Sequence, residues 1–329
     1  MLKYAEKKGV FIMKEIVNKD WINEEKVSYF SLQEYIAKIK LDDKILFHLE
    51  DTSQNFQNYI DTLKKVCDND DYAIIYYWLD DAIKELKTSA ELENHHFRNE
   101  QLFNSNLFFD RLTIDHERIK MIHKFVCENS GTPITNKGQY RKVPVDVGAD
   151  YSFGHQVYWN APEPEYVKKF MDDYLVFYKT KSIKEIYNNP FLKSALAHLL
   201  FVRIHPFTDG NGRTARIIQN ITFTNGINKI YDTNLRLSPL NISTNILLNK
   251  YTYADKLNRI KFNLTTDNNE MINKWFTFIL NMYDEQLYFQ EHRIPALKQA
   301  LKNINSLKTS EDDIYHKAIK SGISKIKTL

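Results

Sequence analysis

From His205 to Arg216 the chain reads HPFTDGNGRTAR, twelve residues holding a base, an acid, two guanidiniums and a glycine turn. Pro206 has no N–H and disfavours helix in the residue before it, so an apolar helix running into the segment ends near His205. Asp209-Gly-Asn-Gly212 is a tight turn with permissive backbone angles. A second helix starts at Gly212-Arg213, and its first N–H groups point back into the turn, where they form an anion site. Arg213 and Arg216 are three apart on one face of that helix and can clamp a polyphosphate. Asp209 is a hard oxygen ligand, suited to a Mg²⁺ or Mn²⁺ ion that bridges phosphates. His205 stands on the opposite lip, where it can take a proton from an attacking hydroxyl. Together these groups describe phosphoryl or nucleotidyl transfer. The other glycine-rich phosphate cradles, GxGxxG and GxxxxGK followed by Ser or Thr, do not occur in the chain.

The breakers show which part of the chain must position these groups. Glycine is 9 of 329 residues, below the usual ~7%. Six of the nine (Gly131, Gly138, Gly148, Gly154, Gly210 and Gly212) lie between 131 and 212, with six of the eight prolines. Elsewhere, long breaker-free segments favour helix. Helices are predicted over 53–68, 70–87 and 88–98, and from Thr113 as N-cap through Cys127. More are predicted over 163–178, 191–204, 212–224, 241–262, 268–289 and 294–308. The 163–178 helix turns Val167, Phe170, Met171, Tyr174 and Leu175 inward, and 191–204 is apolar enough to be buried. Tyr140–Val147 alternates Val143, Val145 and Val147, a strand signal, with Gln156–Trp159 as its mate and Gly148–His155 as a flexible connection. The predicted fold class is all-α with one short β-hairpin.

Composition narrows the function classes. With 43% hydrophobic and 26% charged residues the chain is an ordinary globular protein, of a size for one large domain or two smaller ones. Lys plus Arg is 45 and Asp plus Glu is 42, a net +3. There is no broad basic field, so nucleic acid is not expected as the main partner. The apolar runs Ala73–Leu79 and Ala195–Ile204 are far shorter than the ~20 residues a membrane span needs. Met1–Val10 carries charges throughout, which predicts no secretory leader. Cys67 and Cys127 have no metal spacing and fit a reducing, cytoplasmic compartment. His123 and His198 read as core groups, and His95-His96 as a solvated pair.

The segment HPFTDGNGRTAR resembles the Fic (Fido) family signature HxFx(D/E)GNGRxxR, with every fixed position filled. Pro190, Ala195, His198 and Phe201–His205 are similar to the family's helix leading into the motif, and Ile119–His123 to an earlier helix. Gly138–Arg141 with Val145, and Ala161–Val167, resemble the runs on either side of its flap. Asn249 and Tyr253 resemble a downstream nucleotide-pocket segment. The resemblance divides the chain into an N-terminal helical region at 1–87, a Fic domain at 88–290 with an inhibitory helix at 88–98, and a C-terminal helical tail at 291–329. It implies a mostly helical fold and transfer of AMP from ATP to a Ser, Thr or Tyr hydroxyl of a protein, the chain itself included. The implied roles are His205 as base, Asp209 as metal ligand and Gly210, Asn211 and Gly212 as the anion hole. Arg213 and Arg216 then hold the phosphates, with Phe207 as the buried anchor of the loop. Members that phosphorylate instead tend to carry Lys at the position of Arg213, so Arg there favours adenylylation. The family flap, here 140–159, takes an extended protein segment by strand addition. The short apolar runs predict no membrane partner, and a homodimer is left open.

Upstream, Thr88–Asn94 reads TSAELEN and resembles the family's inhibitory motif, (S/T)xxxE(G/N). Ser89 and Glu93 are one helical turn apart on the same face, and Glu91 points away. The resemblance puts Glu93 on Arg216, in the space the ATP γ-phosphate needs, with Asn94 closing the motif. That is an intramolecular brake. Two alternatives stay open from the sequence. The same site could remove AMP from a modified protein, with Glu93 positioning water. Or the pocket could sense nucleotide in a regulatory or DNA-binding module, although a sensor has no need of His205. Ser306–Leu329 could be a remnant of a winged-helix DNA reader, the whole tail 291–329 being short for a complete one.

Overall fold

The computed structural model describes residues 26–66, 81–82, 84–96, 113–151, 154–179, 188–231, 235 and 237–306. Residues 70–80 and 83 of the helix predicted over 70–87, the last residues of the one at 88–98, the tail beyond 306 and Cys67 lie outside the described residues. Most described residues are helical, and two strands form the one sheet recorded among them. No helix among them is long and apolar enough to cross a membrane.

The helix leading into the candidate site forms the centre. Helix α6 (Pro190–Ile204) starts with Asn189 as N-cap, whose side chain accepts the Phe191 N–H at 3.0 Å. Pro190 follows in the first turn, where its missing N–H costs nothing. Every residue of α6 except Lys193 is buried, as the apolar run requires. Helix α7 (Asn211–Tyr231) lies along it, and α4 (His116–Asn129) packs on α7. On other sides of α6 lie α5 (Pro164–Lys179) and the long α10 (Asn269–Ser306). Helix α1 (Leu32–Lys38) covers α5, and α2 (Asp43–Val66) runs against α10. An aromatic chain joins four of these helices: Phe56 to Phe191 at 5.8 Å, Phe191 to Phe223 at 4.9 Å, and Phe223 to Tyr283 at 5.0 Å between ring centroids. These distances suit edge-to-face and offset stacking.

Several element boundaries differ from the sequence expectation. Helix α2 begins at Asp43 rather than 53, because Ile45, Leu49 and Thr52 carry the buried face back from Phe56. The N-cap of α4 is Asp115, not Thr113; its carboxylate accepts the Arg118 N–H at 2.8 Å. The expected helix 241–262 is two helices, α8 (Ser243–Leu248) and α9 (Lys250–Arg259), broken at Asn249, whose φ is −112° and ψ 27°. The expected helices 268–289 and 294–308 are one helix, α10, running through Pro295. Pro295 and Glu291, whose carbonyl loses its partner, both lie on the exposed face, where that carbonyl is open to solvent.

The hairpin is also displaced. Strands β1 (Asp146–Tyr151) and β2 (Gly154–Asn160) pair antiparallel from Asp146 opposite Asn160 to Tyr151 opposite Gly154, with a bulge between Val147 and Gly148. The stretch 140–145, expected as strand, is tied to the loop after α6 instead. The Arg141 N–H donates to the Pro206 carbonyl at 2.9 Å, and Pro144 has no N–H to give a ladder. Residues 148–151 and 154–155, expected as connection, are paired strand.

Candidate active site

Helix α6 ends in a left-handed residue, His205, at φ 49° and ψ 61°, whose N–H bonds the Phe201 carbonyl at 3.0 Å. A non-glycine residue held there marks a site where surrounding bonds override local preference. Those bonds come from Arg141. Its Nε donates to the His205 carbonyl at 2.8 Å, and its other nitrogens donate to the Val143 and Pro162 carbonyls. The His205 Nδ1 lies 3.2 Å from the Val202 carbonyl. A carbonyl only accepts, so Nδ1 carries the proton and Nε2 is left as the basic nitrogen. Burial lowers the His205 pKa to about 4, with the Arg141 charge adding to the effect, so the ring is neutral near pH 7.

The turn that follows is closed by its own side chains. Phe207 is fully buried and stacks on His123 at 3.6 Å with a 6° interplanar angle. Asn211 accepts the Phe207 N–H and donates to the Phe207 carbonyl, both at 2.9 Å. The Asn211 amide, implied for nucleotide, is therefore taken up in holding the loop. Gly210 has φ 77°, and a Cβ there would lie 2.8 Å from the Cys127 sulfur. His123 is a core group as expected: Nδ1 accepts the Gly138 N–H, and Nε2 donates to the Asp209 carbonyl, both at 2.8 Å.

Both arginines converge on one carboxylate. Glu93 Oε2 accepts from Arg213 Nε at 2.6 Å, and Oε1 from Arg216 at 2.8 Å. The sequence suggested Arg216 alone. A Cβ on Gly212 would collide with this carboxylate, so Glu93 rests against the first turn of α7. Burial acts to raise the Glu93 pKa, but the Arg216 and Arg213 charges outweigh it and hold the carboxyl below its usual range. Arg213 is held from behind by Thr132 Oγ1 at 2.6 Å and by Ser130 Oγ, and Arg216 by the hydroxyl and carbonyl of Ser89 at 2.7 and 2.8 Å. Ser130 and Thr132 had no sequence signal, because they meet Arg213 across more than eighty residues of chain.

The segment carrying Glu93 is helix α3 (84–91), which stops seven residues before the expected end at 98. The Asn94 N–H bonds the Glu91 carbonyl and the His95 N–H bonds the Ala90 carbonyl, both at 3.0 Å, with Asn94 at φ 58°. This is a Schellman cap, and its left-handed position explains in physical terms why the motif ends in Gly or Asn. His96 is exposed and His95 half-buried.

Asp209 fits a cation site of one carboxylate. Its Oδ1 accepts the Gly210 N–H at 2.5 Å and Arg213 at 3.2 Å, while its side chain stays 42% exposed. No group of three His, Cys, Asp or Glu suited to a metal occurs among the described residues. A cation here would be shared between Asp209 and phosphate oxygens, the arrangement Mg²⁺ favours. Asn249 does not reach this loop: its side chain donates to the Asn245 carbonyl at 2.9 Å and points at the Met282 sulfur, because the break between α8 and α9 turns it inward. The Tyr253 hydroxyl lies 2.8 Å from His198 Nε2, and burial raises its pKa against the opposing charge of Arg216.

Residues 113–222 match the Fic/DOC family. The likeness to the Fic/DOC family covers about a third of the chain. The match holds α4, the hairpin, α6 and the start of α7. Protein adenylyltransferase fic-1 of Caenorhabditis elegans is 34% identical over 112 residues, 34% of this chain and 19% of that protein. Protein adenylyltransferase Fic of Nematostella vectensis is 42% identical over 59 residues, 18% of this chain and 13% of that protein. The chain thus spans under a fifth of the length of these curated relatives. A crystal structure of a Fic family protein from Desulfovibrio desulfuricans G20 overlaps 87% of this chain and 85% of its own, at 13% identity and TM-score 0.49.

Proposed function

We propose that this protein is an autoinhibited adenylyltransferase that moves AMP from ATP to a Ser, Thr or Tyr hydroxyl of a protein. The observation that carries the reading is the convergence of two buried guanidiniums on one carboxylate at the N-terminus of α7. Two arginines at a glycine-lined helix start are a polyphosphate clamp, and Glu93 stands where a phosphate oxygen would. The names of the relatives, protein adenylyltransferases, support AMP as the transferred group.

In the proposed reaction the target hydroxyl oxygen attacks the α-phosphorus of ATP. A new phosphorus–oxygen bond forms, the bond to the bridging oxygen of the β-phosphate breaks, and pyrophosphate leaves. The hydroxyl proton passes to His205 Nε2, the ring nitrogen not engaged by Val202. Arg213 and Arg216 balance charge on the phosphates. A Mg²⁺ or Mn²⁺ ion at Asp209 would supply further charge neutralisation on the leaving pyrophosphate. With Glu93 across both arginines, ATP cannot seat its terminal phosphate, which is the basis of the brake.

The hairpin is the proposed docking edge for the target, supported by its two-stranded sheet, whose strands each keep an outer edge unpaired by any other strand among the described residues. A cytoplasmic setting accords with Cys127, a free and buried thiol. Intact-mass and fragment spectra of the Glu93→Gly variant after incubation with ATP and Mg²⁺ test the reading. One AMP on a hydroxyl is expected; a phosphate adduct, or no adduct on the protein or on any lysate protein, would reject it.

A further inference from the structure

Glu93 and Ser89 bind the arginines that a phosphate would contest, so their bonds meet competition whenever nucleotide arrives. Helix α3 has a further polar hold, on groups outside that competition. Glu85, one turn before Ser89, is buried. Its Oε2 accepts the Ser243 N–H at 2.9 Å. Its Oε1 accepts the Asn220 amide at 3.2 Å and also the Ser243 hydroxyl. Ser243 opens α8, whose N-cap residue, Ile242, gives the first turn no side-chain bond. A carboxylate from α3 therefore takes one of the N–H groups that a helix start leaves free. Asn220 lies on α7, one turn beyond Arg216.

A buried carboxylate is costly to keep unless its oxygens are bonded, and α3 has apolar contact without it from Leu86, Ala90 and Leu92. What Glu85 adds is direction. Apolar packing is non-directional, whereas a hydrogen bond weakens steeply as its distance and angle depart from the optimum. Sliding α3 by one residue would carry Glu93 about 1.5 Å along the helix axis and about 100° around it, which breaks its bonds to both arginines. Position passes from Glu85 to Glu93 through the backbone. The Leu92 N–H bonds the Thr88 carbonyl and the Glu93 N–H bonds the Ala90 carbonyl, both at 3.0 Å, so the helix and its cap form one stiff piece.

We propose that Glu85 is a positioning residue for the brake: its bonds to Ser243 and Asn220 hold α3 in the register that keeps Glu93 across Arg213 and Arg216. Because neither partner of Glu85 is a phosphate ligand, the hold persists while phosphate competes for the arginines. It keeps the effective concentration of Glu93 at the guanidiniums high. Glu85 thus acts through Glu93 rather than on the nucleotide. The inference rests on the reading that Glu93 blocks ATP.

Self-labelling of the full chain with Mg²⁺ and ATP labelled in the α-phosphate tests this. Glu85→Ala is expected to raise labelling about threefold to tenfold over wild type, up to what one hydrogen bond to a charged group contributes. Added to Glu93→Gly, it is expected to change labelling by less than about twofold, because the brake it serves is gone. A merely structural loss would lower labelling in both backgrounds. No rise in Glu85→Ala, or an equal rise with and without Glu93, would overturn the positioning role. Ser243→Ala with Asn220→Ala removes two of the carboxylate's donors and leaves α3 untouched. It should reproduce the rise, and it decides the matter if Glu85→Ala does not fold. ¹⁵N NMR of the Arg213 Nε–H, which donates to Glu93, reads the brake without activity. Glu85→Ala should move that signal toward its position in Glu93→Gly, and a signal left at the wild-type position overturns the anchor. If Glu93→Gly labels no faster than wild type, the brake reading fails, and the Arg213 signal decides the anchor alone.

Discussion

Glu93→Gly should convert a quiet protein into an active one, and its size can be worked from two bonds. The carboxylate accepts Arg213 Nε at 2.6 Å and Arg216 at 2.8 Å. A hydrogen bond between charged groups contributes about 1.5–3 kcal/mol, so two give about 3–6. The Glu93 side chain is 26% exposed, and water competes for it. Halving for that competition leaves a block of about 1.5–3 kcal/mol, or roughly 10–150-fold in rate. The substitution itself is mild, because Glu93 lies beyond the last turn of α3 and within a cap that already bends the chain. The assay is self-labelling with ATP carrying label in the α-phosphate, at equal protein and ATP. Glu91→Gly, on an exposed side chain two residues away that points elsewhere, is the control and should stay near wild type. Glu93→Gly with Arg216→Ala should fall back to low labelling, since the freed arginine is the group that holds the phosphate. Glu93→Gly labelling no faster than wild type would refute the brake. If that variant instead loses an AMP-removing activity seen in wild type, Glu93 serves water activation rather than inhibition.

Three further outcomes follow from the loop. His205→Ala should lower transfer by ~10²–10⁴-fold while ATP binding by calorimetry is kept; near-normal labelling would mean His205 is not the base. Because burial lowers the His205 pKa to about 4, the base is unprotonated from neutral pH down to well below the ordinary histidine range. kcat/KM of the Glu93→Gly variant should therefore hold as pH falls through 6.5 and drop only on approach to about 4, and a midpoint near 6.5 would contradict this assignment. Asp209→Ala or excess EDTA should remove most labelling, and full activity in EDTA would exclude a cation at Asp209.

The catalytic loop was readable in the sequence because its chemistry is local: base, turn and arginines fall within one loop and one helical turn. Helices α5 and α6 were readable to within a residue, since inward apolar spacing and a buried run are properties of the segment itself. What escaped depends on residues far apart in the chain. Asn249 carries an amide that suits a nucleotide pocket, but the α8–α9 break turns it toward Met282. The hairpin register shifted because Arg141 commits its backbone to Pro206 rather than to a strand. The sequence splits 268–289 from 294–308, with Pro295 in the first turn of the second, yet α10 runs through Pro295 on its exposed face. Glu93 gave its partner by resemblance, but the second arginine and the Schellman cap needed coordinates.

The central claim is that AMP, and not phosphate, moves to the protein. Incubating Glu93→Gly with Mg²⁺ and ATP labelled at either the α- or the γ-phosphate tests it most directly, with Glu93→Gly, His205→Ala alongside. Label from the α-phosphate should stay on the protein through denaturation, label from the γ-phosphate should not, and the His205→Ala protein should retain neither. Retention of γ-label, or equal α-label with and without His205, would contradict the assignment.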